Sequence, residues 1–320
     1  MNFSVQKINQ EGLNIFRLVD PQSNTSAEIL PAYGALLHGF TISTDSGPVN
    51  VIDHYTSKTD IESTLGTSFK SSKLSPFVCR IPEGKYEWQG ESYEFANKFL
   101  DGSAIHGLLY NKPFSVIEEY CNEKQASLRM KYQYKKDDGG YPFNYVCEVV
   151  YTLHPESVLQ VETIVHNLSD TPIPMADGWH PYFSLGDTIN EYELQFASEA
   201  MVEFDSKLIP TGKLIAEPRF KNGIVLGELF LDNCFELSME EGLPVCVLHN
   251  PRNHLSLLFY TNSNYPYLQI YTPDHRKSIA IENLSSAPDS FNNGMGIKVL
   301  MPRSTETFNV WYKLQTNKLD

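Results

Sequence analysis

The stretch YVCEVVYTLHPESVLQVETIVHNLS, residues 145–169, decides the fold class. It reads as two strands joined by a turn at His154-Pro155-Glu156-Ser157. In the second strand Leu159, Val161, Thr163 and Val165 alternate with Gln160, Glu162, Ile164 and His166. A period of two sends successive side chains to opposite faces, as in a half-buried antiparallel strand. Upstream, KYEWQGESYEF (85–95) places Tyr86 and Trp88 before a Gln-Gly-Glu-Ser turn and Tyr93 and Phe95 after it, a hairpin with aromatics at alternating positions. Downstream, strands are predicted at LPVCVLHN (243–250), LSLLFYT (255–261), YLQIYT (267–272) and ETFNVWYKL (306–314). Helical periodicity is scarce, and its best short candidate is TDIESTLGTSF (59–69). There is no repeat of fixed period, no low-complexity tract and no linker rich in Pro or Ser. Many strands with no parallel βαβ pattern predict an all-β protein, one large antiparallel β-sandwich spanning residues 1–320 as a single domain.

Composition narrows the partners. Hydrophobic residues make up 41% and aromatics 12%, enough for a substantial core. A net charge of −14 argues against nucleic acid or an anionic membrane, since both need basic surface. The five cysteines (Cys79, Cys121, Cys147, Cys234, Cys246) are odd in number and form no CxxC pair, which argues against a disulfide framework or a zinc site. The start, MNFSVQKINQEGLNIF, has no apolar core segment or small-residue cleavage site, and no apolar run approaches a bilayer's span, so a cytoplasmic location is expected.

Four segments carry chemistry. In IENLSSAPDSFNNG (281–294) one carboxylate, Glu282, sits among uncharged residues, with turn formers following it. A strand ending at Ile279, Ala280 and Ile281 would aim Glu282 from its terminus into a cavity, where desolvation raises a carboxylate's pKa toward neutrality. In GWHPYFSLG (178–186) His180 lies between Trp179 and Pro181, with Tyr182 and Phe183 behind it. An imidazole held by aromatics exchanges protons near neutral pH. IHG (105–107) adds His106 before Gly107, a glycine that lets a ligand or another backbone approach. CRIPEG (79–84) adds Arg80 before a turn. Each also has a plain structural reading: a solvated Glu at a strand end, a packed histidine, an arginine paired with Glu83.

Taken together, RIPEGKYEWQGESYEFANKFLDGSAIHG (80–107), GWHPYFSLG (178–186), LDNCF (231–235), PYLQIYTP (266–273) and IENLSSAPDSFNNG (281–294) resemble, in order, the landmarks of the aldose 1-epimerases, or galactose mutarotases. The resemblance implies a twisted supersandwich with a sugar cleft on a concave sheet. It implies Glu282 as general base and His180 as general acid toward the ring oxygen. It further implies His106, Arg80, Asp232 and Gln269 as residues that bond the sugar. Ring opening of a hemiacetal needs one base for the anomeric hydroxyl and one acid for the ring oxygen; it needs no metal and no redox cofactor. An aromatic face, Trp179 or Tyr182, would cover the sugar's C–H groups.

Two departures stand out. Cys79 occupies the position before the arginine where many relatives have Asn, and a thiol bonds hydroxyls poorly. HPYF replaces the commoner His-Ser-Tyr-Phe, so the chain looks closer to a less characterised branch. The expected partner is a small sugar, a free aldohexose. Two other readings stand beside it. One is a hexose-6-phosphate mutarotase, with Arg219, Arg252, Arg276 and Lys277 as candidate phosphate ligands. The other is a non-catalytic carbohydrate-binding protein on the same fold. Asp177, close before His180, is a possible orienting partner for it or a turn residue.

Overall fold

The computed structural model describes residues 2–316. Two large antiparallel sheets dominate it. The larger has nine strands, in spatial order Ser115–Cys121, Ala126–Lys135, Asn144–His154, Val158–Asn167, Thr305–Gln315, Leu255–Thr261, Cys246–Asn250, Glu193–Phe196 and Ile224–Val225. The other has eight: Pro210–Ala216, Ser198–Phe204, Asp232–Leu237, Tyr267–Tyr271, Ile279–Leu284, Gly178–His180 and Ser72–Leu74 in order, with Tyr182–Phe183 pairing beside Ile279–Leu284. A five-strand N-terminal meander, Ser4–Asn50, packs through Leu13–Asp20 on the nine-stranded sheet.

The period-two reading holds residue by residue. Leu159, Val161, Thr163 and Val165 are buried and the four residues between them are half-buried. The preceding turn is one residue tighter than expected: His154 pairs with Val158, and Glu156 and Ser157 close the chain in left-handed backbone. The 85–95 hairpin is tighter as well. Trp88 pairs with Glu91, leaving only Gln89-Gly90 in the turn, both at positive φ, the signature of a type I′ turn that matches strand twist. Tyr86 and Tyr93 meet across it with rings 5.2 Å apart.

The core lies between the two large sheets. Phe183, Phe235 and Trp179 from the eight-stranded sheet meet Phe259, Phe196 and Tyr151 from the nine-stranded one at ring separations of 5.2, 4.7 and 6.0 Å. Because side chains alternate, the residues between these project from the other face of the eight-stranded sheet. The helix Lys58–Ser68 forms where it was expected. Ser57 caps it by accepting from the Asp60 N–H, and Ile61 and Leu65 bury its inner side. At eleven residues it is the longest helix among those described, and none is long and apolar enough to cross a membrane.

Candidate active site

Three adjacent strands write the site on one face. Gln269 lies directly opposite Glu282 on one side and Cys234 on the other, and Asp232 lies opposite Tyr271. Residues two apart on one strand share a face, so Asp232, Cys234, Gln269, Tyr271 and Glu282 all point one way. Glu282 is not at a strand end: the strand runs Ile279–Leu284 and Glu282 sits inside it. The turn formers after it misled the sequence reading, because a strand buried along its whole length shows no alternation to mark its end. The interior position holds the carboxylate more rigidly than a terminus would.

The Gly178–His180 strand brings in the imidazole. Trp179 turns inward to the core, 3% exposed, and His180 turns outward beside Glu282. The aromatic covering the cleft is therefore Tyr182, whose ring stacks on His180 at 5.0 Å, and not Trp179. Asp177 does not orient His180. It accepts from Lys73 Nζ and from the Tyr265 hydroxyl, each at 2.6 Å, in a fully buried pair behind the sheet.

A second wall comes from residues 69–107. The short ladder pairing Arg80–Ile81 with Ala104–Ile105 brings Arg80 and His106 together, and the His106 N–H donates to the Cys79 carbonyl at 2.8 Å. Phe69, Cys79 and His106 are all left-handed, an unusual backbone for such side chains and one that concentrates at functional sites. Gly107 is a close-approach glycine: a Cβ there would lie 2.4 Å from the Ser75 carbonyl oxygen. The backbone that comes close is protein, one of the two options the sequence left open.

These parts enclose a cleft of about 260 Å3 lined by Arg80, His106, His180, Asp232, Gln269 and Glu282, all six predicted residues. His180 Nε2 and Glu282 Oε1 are 3.3 Å apart. The His106 ring stands edge-on to His180 at 4.8 Å, and Phe69 meets the other side of His106 at 4.7 Å. Gln269 Nε2 donates to Asp232 Oδ1 at 2.8 Å. Arg80 is held by Asp101, not by Glu83, which pairs with Lys85.

Burial sets the electrostatics. Glu282 is 2% exposed, and burial first, then the nearby Asp232, pushes its carboxyl well above the ordinary range. Burial pulls His180 down to about 4. Burial, then His180 and Arg80, pulls His106 well below the usual imidazole value. Asp232 is raised by burial, against the hydrogen bond from Gln269 and the charge of Arg80. Glu282 Oε2 and His106 Nδ1 are buried without a hydrogen-bond partner. Buried polar groups normally have a partner.

The sequence model of the aldose 1-epimerase family matches residues 18–313. The chain belongs to this family. Among known proteins, YihR of Escherichia coli, an uncharacterized protein, is 26% identical over 234 residues, covering 71% of this chain and 73% of YihR. A galactose mutarotase-like protein from Clostridium acetobutylicum superposes with a TM-score of 0.88 at 18% identity, covering 99% of both chains. Galactose 1-epimerase from Lactobacillus acidophilus superposes at 0.81 and 17% identity, covering 98% of this chain and 99% of that one. At these identities the structural likeness establishes the fold: this is the galactose mutarotase-like sandwich.

Within that fold, sequence reasoning missed Tyr271, Phe69, Phe204 and Leu208, which also line the cleft. Tyr271 had a signal, since it is two residues from Gln269. Phe204 and Leu208 come from the segment 186–223, whose length alone is enough to contribute a wall. It folds as one strand of the nine-stranded sheet, Glu193–Phe196, and the edge hairpin of the eight-stranded one, Ser198–Phe204 with Pro210–Ala216, and it does wall the cleft. The four cations considered for phosphate lie outside the lining. Arg219 pairs with Glu217, Arg252 with Glu191, and Arg276 bonds Asn190 and the Gly227 and Leu229 carbonyls.

Proposed function

We propose that the protein is an aldose 1-epimerase that interconverts the α and β anomers of a free aldohexose. Glu282 acts as the base on the anomeric hydroxyl and His180 as the acid on the ring oxygen. The observation that carries this reading is the contact of 3.3 Å between His180 and Glu282 on the floor of a polar cleft. The anomeric and ring oxygens of a sugar share C1, so two groups in contact with each other can each reach one of them.

Proton bookkeeping follows from burial. Burial raises Glu282 and lowers His180, which favours one proton shared between them. With the proton on His180, the pair is ready to attack: Glu282 takes the hydroxyl proton while His180 gives its own to the ring oxygen as the C1–O5 bond breaks. The open-chain aldehyde then faces a protonated Glu282 and a neutral His180, the arrangement that burial favours. Rotation about C1–C2 and reversal of both transfers give the other anomer. Both groups end as they began, so no cofactor is consumed.

Arg80, His106, Asp232 and Gln269 would bond the remaining hydroxyls, with Tyr182 and Tyr271 against the C–H faces. Arg80 is the single Lys or Arg lining the cleft among the described residues, and it already has Asp101, which favours a neutral sugar over a phosphosugar. A pure binding protein has no use for a desolvated acid–base pair. Polarimetry of freshly dissolved α-D-glucose and α-D-galactose tests the reading. Wild type should speed mutarotation of at least one sugar and Glu282→Gln should not. No acceleration of either by wild type would turn attention to sugar 6-phosphates and then to binding alone.

A further inference from the structure

We infer that His106, His180 and Glu282 form a binding site for a divalent transition-metal ion of the Zn2+ type, and that an ion there stops turnover. The binding half stands on geometry alone. The inhibitory half rests on the function proposed above.

The donor atoms of the three side chains all lie within 4.8 Å of one another. Among the described residues no other trio of His, Cys, Asp or Glu meets that spacing. His180 Nε2 and Glu282 Oε1 are 3.3 Å apart, about the separation of two tetrahedral ligands when metal bonds are about 2.0–2.1 Å long. The donors of the trio span up to 4.8 Å, so the His106 side chain must turn inward to complete the face. The fourth position opens into the cleft, which gives an entry path and room for water.

The chemistry of the donors selects the ion. Two imidazoles and one carboxylate suit Zn2+, Cu2+ or Ni2+; Mg2+ and Ca2+ want an oxygen shell. Glu282 Oε2 and His106 Nδ1 are buried and unpartnered, and a cation beside them relieves the desolvated carboxylate. The same ion takes the lone pairs that Glu282 and His180 use to move protons. The acid–base pair and the metal site are mutually exclusive uses of the same atoms.

Calorimetric titration of zinc chloride into the protein at pH 7, in a non-chelating buffer, tests the binding half. One ion per chain is expected, with affinity reduced more than about tenfold in His106→Asn and in Glu282→Gln, both checked for folding by circular dichroism. Cys121 is an exposed thiol, and Cys121→Ser should leave the affinity unchanged. Magnesium chloride should give no comparable heat. Absence of zinc binding, affinity indifferent to both site substitutions, affinity lost with Cys121, or an equal response to Mg2+ would each overturn the site. For the inhibitory half, mutarotation by wild type should fall in step with zinc occupancy and return on adding EDTA. Turnover unchanged or raised at saturating zinc would overturn inhibition. A wild type inactive on every sugar would instead refute the proposed function, and the calorimetric result would still decide the site.

Discussion

Two buried charge pairs lie on opposite faces of the eight-stranded sheet beside the strand Gly178–His180. Behind the sheet Lys73 and Asp177 meet at 2.6 Å, both fully buried. Lys73 also donates to the Gly178 carbonyl and lies over the Trp179 ring at 4.5 Å, and Asp177 receives the Tyr265 hydroxyl. In front of the sheet His180 and Glu282 are 3.3 Å apart, with Glu282 Oε2 lacking any hydrogen-bond partner. The rear pair is charge fastened by extra hydrogen bonds, which is what makes a buried ion pair tolerable. On the proposed mechanism the front pair shares one movable proton. Each pair leaves one carboxylate oxygen, Asp177 Oδ2 and Glu282 Oε2, without a partner; what differs is that Asp177 Oδ1 takes two close donors behind the sheet, while the His180–Glu282 contact lines an open cleft.

Substitutions should separate the two, with the largest effect in front. Glu282→Gln keeps the side chain's shape but cannot take a proton, and turnover should fall by about 10²–10⁴-fold, the usual worth of a general base. Its thermal midpoint should stay level or rise. Lys73→Met should show the reverse: about 3–5 kcal/mol of stability lost because Asp177 is left charged and unpaired, with activity per folded molecule retained. Restoring apolar balance with Lys73→Met and Asp177→Leu together should recover much of that loss in a denaturant titration. A Glu282→Gln protein that is both active and destabilised would dissolve the contrast.

Legibility in the sequence followed the same divide. The sandwich could be read because strands such as Val158–Asn167 have one face in the core, and burial on one side prints a period of two. The front pair could be named only through the family resemblance, since about a hundred residues separate its members. Position within the strand was misread at Glu282 because Ile279–Leu284 is buried throughout and offers no alternation. Pro181 breaks the run between His180 and Tyr182 into two short strands, so nothing local said that Trp179 would face the core while Tyr182 lined the cleft. The rear pair was invisible. Lys73 lies 104 residues from Asp177, and a lysine in SSKLS reads as surface. Arg80 finding Asp101 rather than Glu83 depends on how a loop folds back, which no period encodes.

The front pair also predicts a pH signature that Glu282→Gln removes. Glu282 has a folded-state pKa raised well above its unfolded value. A raised carboxyl contributes stability that is fully present below the ordinary carboxylate pKa and is lost as pH rises through the folded value. Wild type should therefore lose thermal stability relative to Glu282→Gln as pH climbs above the ordinary carboxylate range, and the gap in midpoints should widen until Glu282 is ionised in the folded protein. At the acid end the activity profile should fall near pH 4, where His180 takes up a second proton for the pair. A constant gap in thermal midpoints would mean that Glu282 ionises as easily in the folded protein as outside it.

The smallest effect expected belongs to Asp232, which sharpens the boundary of the front pair. It is close enough to raise Glu282, yet its own carboxylate is engaged by Gln269 and softened by Arg80. Its proposed part is to accept bonds from sugar hydroxyls away from C1, which act alike in ground and transition states. Asp232→Ala should raise KM about tenfold or more, in line with the 1.5–3 kcal/mol of a hydrogen bond to a charged group, while kcat changes little. Removing its charge should also ease the ionisation of Glu282, moving the alkaline side of the pH profile to lower pH. If kcat fell with KM unchanged, Asp232 would belong to the proton-moving group, and the front pair would be a trio.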